Sequence, residues 1–413
     1  MENQLQLGIV SYKKDNFIVV EGKQNTGVFF IIQQGKVQIS KEAEVEGEGN
    51  EVLGPGDFIG VVSTMSNHSH IETAMALSDV VLIRVQQHQY VGLIQKNAAV
   101  AMKMIINFSR RLRLLNETLA KIALKKAAEE GPSHLFSVAE YYLGKKEYEK
   151  AYYAYTQYIE YCPSGENVTA AGNKLAEIAP LIKNVRTEFG PEEFNRVYQK
   201  NTMLFAEGEP GNELFIIHKG SVKITKIVDN NEVLLAILKA GDIFGEMALL
   251  ESKPRAASAV AHEDCTVMAV NKANFEKMIT NQPQLIAKVT TLLADRIWLI
   301  YKQLANAQIL DPICRLYYAM LIQLEKNRIA LDEKEPHTFN FGWPELLSMA
   351  GVPGERSEEL LGVIMKSRKI QFKDNKIHVF SVEEIAKETE YHRKMELREK
   401  ARQENREQLT VNN

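Results

Sequence analysis

An internal repeat with a constant spacing of 185 residues constrains this chain more than any other feature. The stretch "FFIIQQGKVQI" (Phe29–Ile39) returns as "LFIIHKGSVKI" (Leu214–Ile224), and "GPGDFIG" (Gly54–Gly60) returns as "KAGDIFG" (Lys239–Gly245). Two further pairs, "ALSDVVLIRV" with "AHEDCTVMAV" and "SRRLRLLNETLA" with "ADRIWLIYKQLA", keep the same spacing. Self-similarity at one fixed offset indicates that a single structural unit is used twice. The sequence therefore predicts two copies of one domain.

Each copy has the pattern of short β-strands followed by a long helix. Aliphatic and β-branched runs are separated by Gly, Pro, Asn and Asp turns, as in "ELFIIHKGSVKITKIV" around Gly220. Several short strands at close spacing predict a small β-barrel or jelly roll, that is, a double-stranded β-helix. The strands are followed by "AVAMKMIINFSRRLRLLNETLAKIAL" in one copy and "PQLIAKVTTLLADRIWLIYKQLANAQIL" in the other. Both lack internal proline and carry apolar residues at i, i+3, i+4 and i+7, which predicts a long helix after each barrel.

A Tyr-rich helical segment lies between the copies. It resembles a tetratricopeptide repeat, because Ala139, Tyr148, Ala151, Tyr155 and Pro163 fall where that pattern has small, aromatic, small, aromatic and proline residues. One such unit cannot bury its own apolar face. Two interpretations stay open: a helical spacer packed on its neighbours, or a surface on which a protein partner docks.

The pattern changes again at Asp311. An amphipathic helix, "DPICRLYYAMLIQLEKN", is followed by "WPELLSMAG" and "GERSEELLGVIMKSRK", two helices joined by "GVPG". The stretch "KIQFKDNKIHVFS" predicts a hairpin with its turn at Asp374 and Asn375. This order of helices and hairpin predicts a winged helix-turn-helix. The tail after it reads as a long, charged, solvated helix.

The predicted fold class is therefore α+β and multidomain. Its segments are a first jelly-roll domain at 1–125, the helical spacer at 131–186, a second jelly-roll domain at 187–310, the winged helix-turn-helix at 311–382 and the charged helical tail at 383–413.

Composition and short motifs narrow the class of protein. A net charge of −3 gives no global attraction to nucleic acid or membrane, so such a contact would need a local patch. The three cysteines show no CxxC spacing, which disfavours a disulfide framework or a zinc site. The sequence shows neither a signal-peptide pattern nor an apolar run of about 20 residues, so we expect a cytoplasmic protein. It also lacks a nucleophile elbow, a P-loop and a metal-spaced cluster, so we expect neither an enzyme nor a metal.

Two ionisable residues stand out in the apolar stretch "FGEMALLESKPRAASAVA" (Phe244–Ala261): Glu246 and Arg255. Burying unpaired charges is unfavourable, and a bound ligand can supply their partners. A guanidinium binds phosphate well, and a carboxylate accepts hydrogen bonds from ribose hydroxyls. Small residues such as Gly245 and Ala257 let backbone N–H groups approach an anion. The segment predicts a nucleotide monophosphate site; a purely structural salt bridge is the alternative.

The stretch "GDIFGEMALLESKPRAASAVA" resembles the phosphate-binding cassette of cyclic nucleotide-binding domains, as in protein kinase A regulatory subunits and the Crp/Fnr family. The resemblance implies Arg255 on the cyclic phosphate and Glu246 on the ribose 2′-hydroxyl. Ala256 stands where a threonine is typical of cGMP-selective sites, which implies cAMP as the ligand. The family closes the site with its long helix, here at Ile300 and Tyr301, and the Tyr301 ring could stack on the purine. The implied ligand-binding residues are Gly245, Glu246, Ala248, Leu249, Arg255, Ala256, Ala257, Ser258, Ile300 and Tyr301.

The first copy differs at both charged positions. The same offset places Val61 at the Glu246 position and His70 at the Arg255 position. The copy therefore lacks the ribose carboxylate and has a mostly neutral imidazole in place of a permanent cation. We predict weak or absent cyclic nucleotide binding there. A different anion or nucleotide is the alternative, and a metal at His68 and His70 is disfavoured because the sequence shows no third ligand.

The C-terminal region is similar to the end of Crp/Fnr regulators, which comprises a dimer helix, a hinge and a winged helix. In that family the second helix of the turn enters the major groove, where arginines read guanines. Here Gly354 and Glu359 stand where arginines are frequent, and Gly354–Glu359 has a net charge of −2. Sequence-specific DNA binding, a protein-only interaction and a relic fold all stay open. The candidate DNA contacts are Glu355, Arg356, Lys366, Arg368, Lys369, Lys373 and Lys376.

Crp-type proteins pair their long helices in homodimers, and this chain has two such helices, Ala98–Ile122 and Pro283–Ile309. We predict either an intramolecular pseudo-dimer, in which Asn116 matches Tyr301, or a homodimer. The implied function is a cAMP-responsive transcription regulator with one active site in the second copy. The alternative is a cAMP-responsive adaptor that acts on a protein partner, for example through the helical spacer, without sequence-specific DNA binding.

Overall fold

The structure is a computed structural model that describes residues 6–43, 45, 51–124, 131–182, 189, 193–228, 231–352, 356–367 and 369–411. The chain forms two compact units that do not follow its sequence order. One unit is built mainly from residues 88–294, and the other from residues 7–87 together with residues 295–413. Each unit contains one of the two sheet-rich domains.

The first barrel-like domain consists of two antiparallel four-stranded sheets. Their orders are β1-β8-β3-β6 and β2-β7-β4-β5. Inward-facing aliphatic side chains such as Ile32, Val37, Ile59 and Leu82 are buried between the sheets. The elements are β1 (Gly8–Tyr12), β2 (Phe17–Val19), β3 (Val28–Gln34), β4 (Val37–Ser40), β5 (Glu51–Leu53), β6 (Phe58–Ile59), α1 (Val61–Ser66), β7 (Thr73–Ala76) and β8 (Val80–Gln86).

Helices connect the two barrels. The structure has α2 (Tyr90–Lys96) and the long α3 (Ala98–Leu124), and then the spacer helices α4 (His134–Gly144), α5 (Tyr148–Tyr161) and α6 (Val168–Ile178). The spacer helices share one hydrophobic cluster with the second barrel, because Leu135, Tyr142 and Tyr155 pack with Met203 and Val260. The spacer is therefore packed on its neighbouring domain.

The second barrel repeats the first, strand for strand. Its sheets run β9-β16-β11-β14 and β10-β15-β12-β13, which are the orders of the first barrel in the new numbering. Its elements are β9 (Asn195–Tyr198), β10 (Met203–Phe205), β11 (Glu213–Lys219), β12 (Ser221–Val228), β13 (Asn231–Lys239), β14 (Ile243–Phe244), α7 (Glu246–Glu251), β15 (Ser258–Ala261) and β16 (Cys265–Asn271), followed by α8 (Lys272–Asn281).

Strand pairing shows where the two copies differ in length. Tyr12 pairs with Val80 in the first barrel and Tyr198 pairs with Cys265 in the second, so the first strands are 186 residues apart and the later ones 185. The second copy is thus one residue shorter between its second and third strands. The deletion lies before the first of the matched stretches, which begin at Phe29 and Leu214.

Equivalent glycines turn the chain between the third and fourth strands of each barrel. Gly35 and Gly220 have φ values of 96° and 78°. A Cβ atom would lie 2.5 Å from the carbonyl oxygen of Asp79 in the first barrel and 2.2 Å from that of Asp264 in the second. Only glycine meets both conditions. The pattern around Gly220 favoured a hairpin or a bulge, but β11 and β12 belong to different sheets, so the glycine turns the chain from one sheet to the other and closes no hairpin. An irregularity in the β11–β16 pairing lies just before it, between Ile217 and Lys219.

The C-terminal region begins with the long helix α9 (Pro283–Ala307), which passes from one unit to the other at Asp295. It continues as α10 (Pro312–Lys326), β17 (His337–Phe339), α11 (Trp343–Met349), α12 (Ser357–Lys366), β18 (Ile370–Lys373), β19 (Lys376–Val379) and α13 (Val382–Val411). The strands form one sheet of order β17-β19-β18. Asp374 and Asn375 both adopt left-handed φ values at the β18–β19 turn, as the hairpin prediction requires.

The predicted solvated tail differs from the structure in its first turns. Val382, Ile385 and Thr389 lie at helical spacing and are buried, and the first two belong to the C-terminal core. Glu396 of the same helix accepts hydrogen bonds from the backbone N–H groups of Leu310 and Asp311. The first part of α13 is therefore an integral part of the C-terminal fold.

Candidate functional site

The cassette of the second barrel is organised around Gly245, the residue before α7. Gly245 has a φ of 76°, and its carbonyl oxygen accepts a hydrogen bond of 2.7 Å from Nη1 of Arg255. A Cβ atom at Gly245 would lie 2.7 Å from the same Nη1. Glycine is therefore required both by the backbone conformation and by the closeness of the guanidinium.

Arg255 is a buried cation with unused hydrogen-bonding capacity. Arg255 is only 6% exposed, and its Nε atom has no hydrogen-bond partner among the residues that the structure describes. The guanidinium carbon lies 4.1 Å from the centre of the Phe205 ring, a favourable cation–π distance. Burial lowers the pKa of Arg255, and the nearby Glu209, Tyr153, Glu213 and Glu246 oppose that shift.

The other predicted cassette residues lie in α7 or directly after Arg255. Glu246 is 1% exposed and begins α7, while Ala248 and Leu249 are buried in the same helix. Ala256 and Ala257 are half-buried directly after Arg255. The hydroxyl of Ser258 accepts a hydrogen bond of 2.9 Å from the backbone N–H of Glu207, so it already supports the barrel. The cassette thus brings eight predicted residues into one continuous segment.

The other two predicted residues, Ile300 and Tyr301, lie in the second half of α9. Both belong to the unit that contains the first barrel. The Tyr301 hydroxyl donates to Glu21 at 2.8 Å and accepts from the backbone N–H of Ala43 at 3.1 Å. The structure therefore places the Tyr301 hydroxyl in contact with residues of the first barrel. The purine-stacking role that the resemblance implied for this ring stays a prediction.

The first barrel preserves the backbone of the cassette without its charged groups. The backbone of His70 bonds to Lys23 and Gly22, at 2.8 Å each, in the way that Arg255 bonds to Glu209 and Gly208. His70 is buried, and its Nδ1 atom has no hydrogen-bond partner among the described residues. Burial lowers the pKa of His70. The imidazole is thus more strongly neutral than in water, which is the opposite of a phosphate-binding arginine.

The metal alternative for the first copy has no structural support. His68 stacks on Trp298 with ring centres 4.0 Å apart. Among the residues that the structure describes, no group of three or more His, Cys, Asp or Glu side chains could hold a metal ion.

Two stretches of the chain, residues 9–97 and 195–282, match the family model of the cyclic nucleotide-binding domain. They coincide with the two barrels and the short helices that follow them. The chain carries two cyclic nucleotide-binding domains. The first domain therefore kept the family fold although it lacks both charged residues of the cassette.

The relatives of the chain include a cyclic AMP receptor protein, a transcriptional regulator and a guanine nucleotide exchange factor. The cyclic AMP receptor protein of Thermus thermophilus is 27% identical over 46% of this chain and 87% of that protein. The CRP-like cAMP-activated global transcriptional regulator of Mycobacterium tuberculosis is 32% identical over 30% of this chain and 53% of the regulator. Human Rap guanine nucleotide exchange factor 3 is 35% identical over 25% of this chain and 11% of that protein. The chain therefore spans about half of the mycobacterial regulator and a small part of the exchange factor.

One solved structure is among those that this chain matches. The Thermus thermophilus catabolite activator protein matches at 25% identity over 47% of this chain and 90% of its own length, with a TM-score of 0.25.

Among the described helices of this chain, none combines the length and apolarity needed to cross a membrane.

The candidate DNA contacts lie in mixed surroundings. Lys366, Lys373 and Lys376 are exposed at the end of α12 and on the β18–β19 hairpin. The Nε atom of Arg356 lies 3.5 Å from Oε2 of Glu359, and Lys369 forms an ion pair with Glu388 of α13. Glu355 and Arg368 lie outside the described residues. Three of the five described candidates are thus exposed lysines, and the other two have carboxylate partners.

Two residues of the site had no part in the sequence prediction. Phe205 ends β10 beneath the Arg255 guanidinium, and Glu209 lies in the next turn, where its carboxylate accepts from the backbone N–H of Ala206 at 2.9 Å. The available signal was the "EGEPG" turn at the point where the two copies differ in length.

Proposed function

We propose that this protein is a cAMP-binding regulator with one active nucleotide site, in the second domain. The observation that supports this most directly is the buried Arg255, whose Nε atom has no hydrogen-bond partner among the described residues. A buried cation with an unused donor is unfavourable unless a ligand completes its hydrogen bonds. A cyclic phosphate is a ligand that suits a guanidinium.

The neighbouring residues suit the rest of the nucleotide. Glu246 would accept a hydrogen bond from the ribose 2′-hydroxyl, and the backbone N–H groups near Ala248 and Ala257 would approach the phosphate. Ala256 provides no hydroxyl for a guanine base, which favours cAMP over cGMP. In the first domain, Val61 and the neutral His70 supply neither function, so we propose that this domain is structural.

For the output we propose a Crp/Fnr-like transcription regulator. The helices α10, α11 and α12 with the three-stranded sheet would form the winged helix-turn-helix. The exposed lysines Lys366, Lys373 and Lys376 would contact phosphates of duplex DNA. Ligand binding would shift the population of C-terminal conformations that can bind DNA.

A second output is favoured by the exposed side of α12. Glu358 and Glu359 are exposed at its start, and Val363 and Met365 are exposed further along. Carboxylates and apolar side chains at these positions suit a protein partner better than a DNA backbone. The alternative function is therefore a cAMP-responsive adaptor that acts on a protein without sequence-specific DNA binding.

Calorimetric titration with cAMP, cGMP and cyclic dinucleotides tests the ligand. We expect the wild type to bind cAMP most tightly, with one site per chain. Arg255→Ala should abolish measurable binding, and the matched His70→Ala variant in the first domain should bind like the wild type. A wild type that binds none of these ligands would refute the proposal, and an Arg255→Ala variant of unchanged affinity would refute the site.

DNA binding separates the two outputs. We expect the cAMP-bound protein to bind a specific duplex selected from random sequence, with an affinity that falls as salt rises. Lys373→Ala with Lys376→Ala should weaken that binding without changing cAMP affinity. Selection of no sequence, with or without cAMP, would favour the adaptor function.

A further inference from the structure

The long helix of the first domain packs against the cassette of the second domain within one unit. Glu251, the last residue of α7, receives two side chains from α3. The Nε atom of Arg113 lies 3.1 Å from its Oε2 atom, and the Ser109 hydroxyl donates to its Oε1 atom at 3.0 Å. The side chains of Arg113 and Glu251 are 6% and 4% exposed, so this ion pair is buried.

Arg113 also contacts the residue before Arg255. Both of its terminal nitrogens lie 3.4 Å from the carbonyl oxygen of Pro254. One guanidinium therefore holds the end of α7 and the backbone next to the phosphate-binding residue. Between these two points the chain reverses at Ser252, which has a left-handed φ of 53°. We call this arrangement the cassette clamp: Ser109 and Arg113 on Glu251 and Pro254.

The equivalent positions of the first domain have different chemistry. There the residues that match Glu251 and Pro254 are Ser66 and Ser69, and the residue that matches Arg113 is Trp298. Trp298 stacks on His68 at 4.0 Å in the other unit. The Ser66 carbonyl oxygen accepts a hydrogen bond from Nη2 of Arg328 at 3.4 Å, and the Ser69 hydroxyl donates to Glu325 at 3.1 Å, so charged side chains contact both cassettes. The cassette that kept its two charged residues differs in having a buried ion pair with the long helix, through Arg113, where the other has Trp298.

A buried ion pair gives little net stability compared with an apolar pair of the same shape. Its value lies in geometry, because each buried charge accepts few arrangements of its partner. The backbone of Pro254 sets the direction in which Arg255 leaves the chain. A shift at Glu251 would also move α7, which carries Glu246 and Ala248.

We propose that Arg113 is a positioning residue of the second-domain nucleotide site, and that the first domain is retained because its α3 supplies the cassette clamp. This inference rests on the proposed cAMP binding. It assigns a role in ligand binding to a domain whose own site has lost its charged residues.

Titration of clamp variants with cAMP tests the inference. Arg113→Ala should weaken cAMP binding roughly tenfold, within the usual range for coupling between sites. Arg110→Ala is the matched control, since Arg110 is exposed on the same helix, and it should bind like the wild type. Ser109→Ala removes a single hydrogen bond and should weaken binding about threefold if the clamp positions the cassette; it keeps the test valid should Arg113→Ala fail to fold.

Two further measurements distinguish positioning from general stability. The charge-exchanged variant Arg113→Glu with Glu251→Arg should recover part of the affinity that Arg113→Ala loses. In the ligand-free chain, Arg113→Ala should increase amide hydrogen exchange in α7 but not in β11 or β16 of the same barrel. Unchanged cAMP affinity in both Arg113→Ala and Ser109→Ala would overturn the inference while leaving the proposed function intact. A wild type that binds no cyclic nucleotide would overturn the proposed function itself.

Discussion

Arg255 and His70 stand at equivalent places in their barrels and have equivalent backbone hydrogen bonds. The side chains differ in the property that matters for an anion. Arg255 stays charged in spite of burial, because its ordinary pKa is far above neutral, whereas burial lowers the pKa of His70 away from the charged form. The two cassettes therefore share these backbone hydrogen bonds, and at this position they differ in the charge of the side chain.

Gly245→Ala is the residue change with the sharpest expected result. The new Cβ would require a left-handed φ in a non-glycine residue and would lie 2.7 Å from Nη1 of Arg255. We expect a loss of stability of about 1–2 kcal/mol from the backbone and weaker cAMP binding from the displaced guanidinium. Thermal unfolding and calorimetry measure the two effects. Gly172→Ala is the control, since nothing lies within 4 Å of a Cβ there; equal behaviour of the two variants would contradict the prediction.

At the scale of elements, each barrel has a carboxylate at an equivalent position, and that carboxylate contacts a helix outside the barrel. Glu21 and Glu207 each lie two residues after the second strand of their barrel, and each accepts a backbone N–H, from Glu42 at 2.8 Å and from Ile227 at 3.1 Å. On the first barrel the outer partner is Tyr301 of α9. On the second barrel the partners are Lys226 at 3.1 Å and His134 of the spacer at 3.6 Å. This carboxylate therefore contacts α9 in the first barrel and the spacer in the second. We call it the docking position of each barrel.

Tyr301→Phe tests this docking position. The change removes the hydroxyl from a buried site where it bonds to Glu21 and Ala43. A buried donor and acceptor left unsatisfied should lower stability by about 1–3 kcal/mol. Denaturant titration measures the change, with the exposed Tyr391→Phe as the control. A midpoint equal to that of the wild type would show that the hydroxyl does not support the docking of α9.

Helix α9 also carries a titratable group whose environment gives a pH dependence. Burial raises the pKa of Asp295 from 3.8 to about 6, and Arg328 opposes the shift. Because the folded chain binds this proton more tightly than the unfolded chain, Asp295 favours folding less and less as the pH rises through that window. His68, 3.6 Å away, has the reverse effect, since burial lowers its pKa from 6.5 to about 4. The two effects oppose each other in the wild type.

The variant Asp295→Asn should separate the effect of Asp295 on stability from that of His68. The variant keeps the His68 titration and lacks that of Asp295, so its stability relative to the wild type should rise as the pH increases from 3.8 to about 6 and level off above. Denaturation midpoints of both proteins at matched pH values on both sides of this window give the difference. Asp374→Asn, at an exposed turn, should show no such trend. A difference that stays constant with pH would contradict the assignment.

At the scale of the whole molecule, each compact unit combines one barrel with helices that follow the other copy in sequence. The second barrel shares its unit with α3 of the first copy, and the first barrel shares its unit with α9 from Asp295 onward. A single chain can therefore supply the helices that Crp-type regulators obtain from two subunits. This exchange supports the intramolecular pseudo-dimer, which stays a prediction.

We expect the protein to be a monomer in solution that binds one cAMP. Light scattering after gel filtration gives the mass, and calorimetry gives the stoichiometry. Exchange of the helices inside one chain leaves no need for a second copy, and the first domain lacks both charged residues of the cassette. A stable dimer that dissociates when apolar residues of α9 are changed, or two cAMP molecules per chain, would contradict this expectation.

The two barrels, the cassette and its glycine were all predictable, because strand patterns, turns and motif spacing are properties of neighbouring residues. The sequence alone also distinguished the copy with Glu246 and Arg255 from the copy with Val61 and His70. Partners that lie far apart along the chain were decided by the tertiary structure alone. Arg113 and Glu251 are 138 residues apart, and Tyr301 and Glu21 are 280 apart. The periodicity of a long helix shows that one face is buried, but two barrels of the same fold offer it similar surfaces. Packing in the folded chain chose between them: α3 shares a unit with the second barrel, and α9 shares a unit with the first barrel only from Asp295 onward.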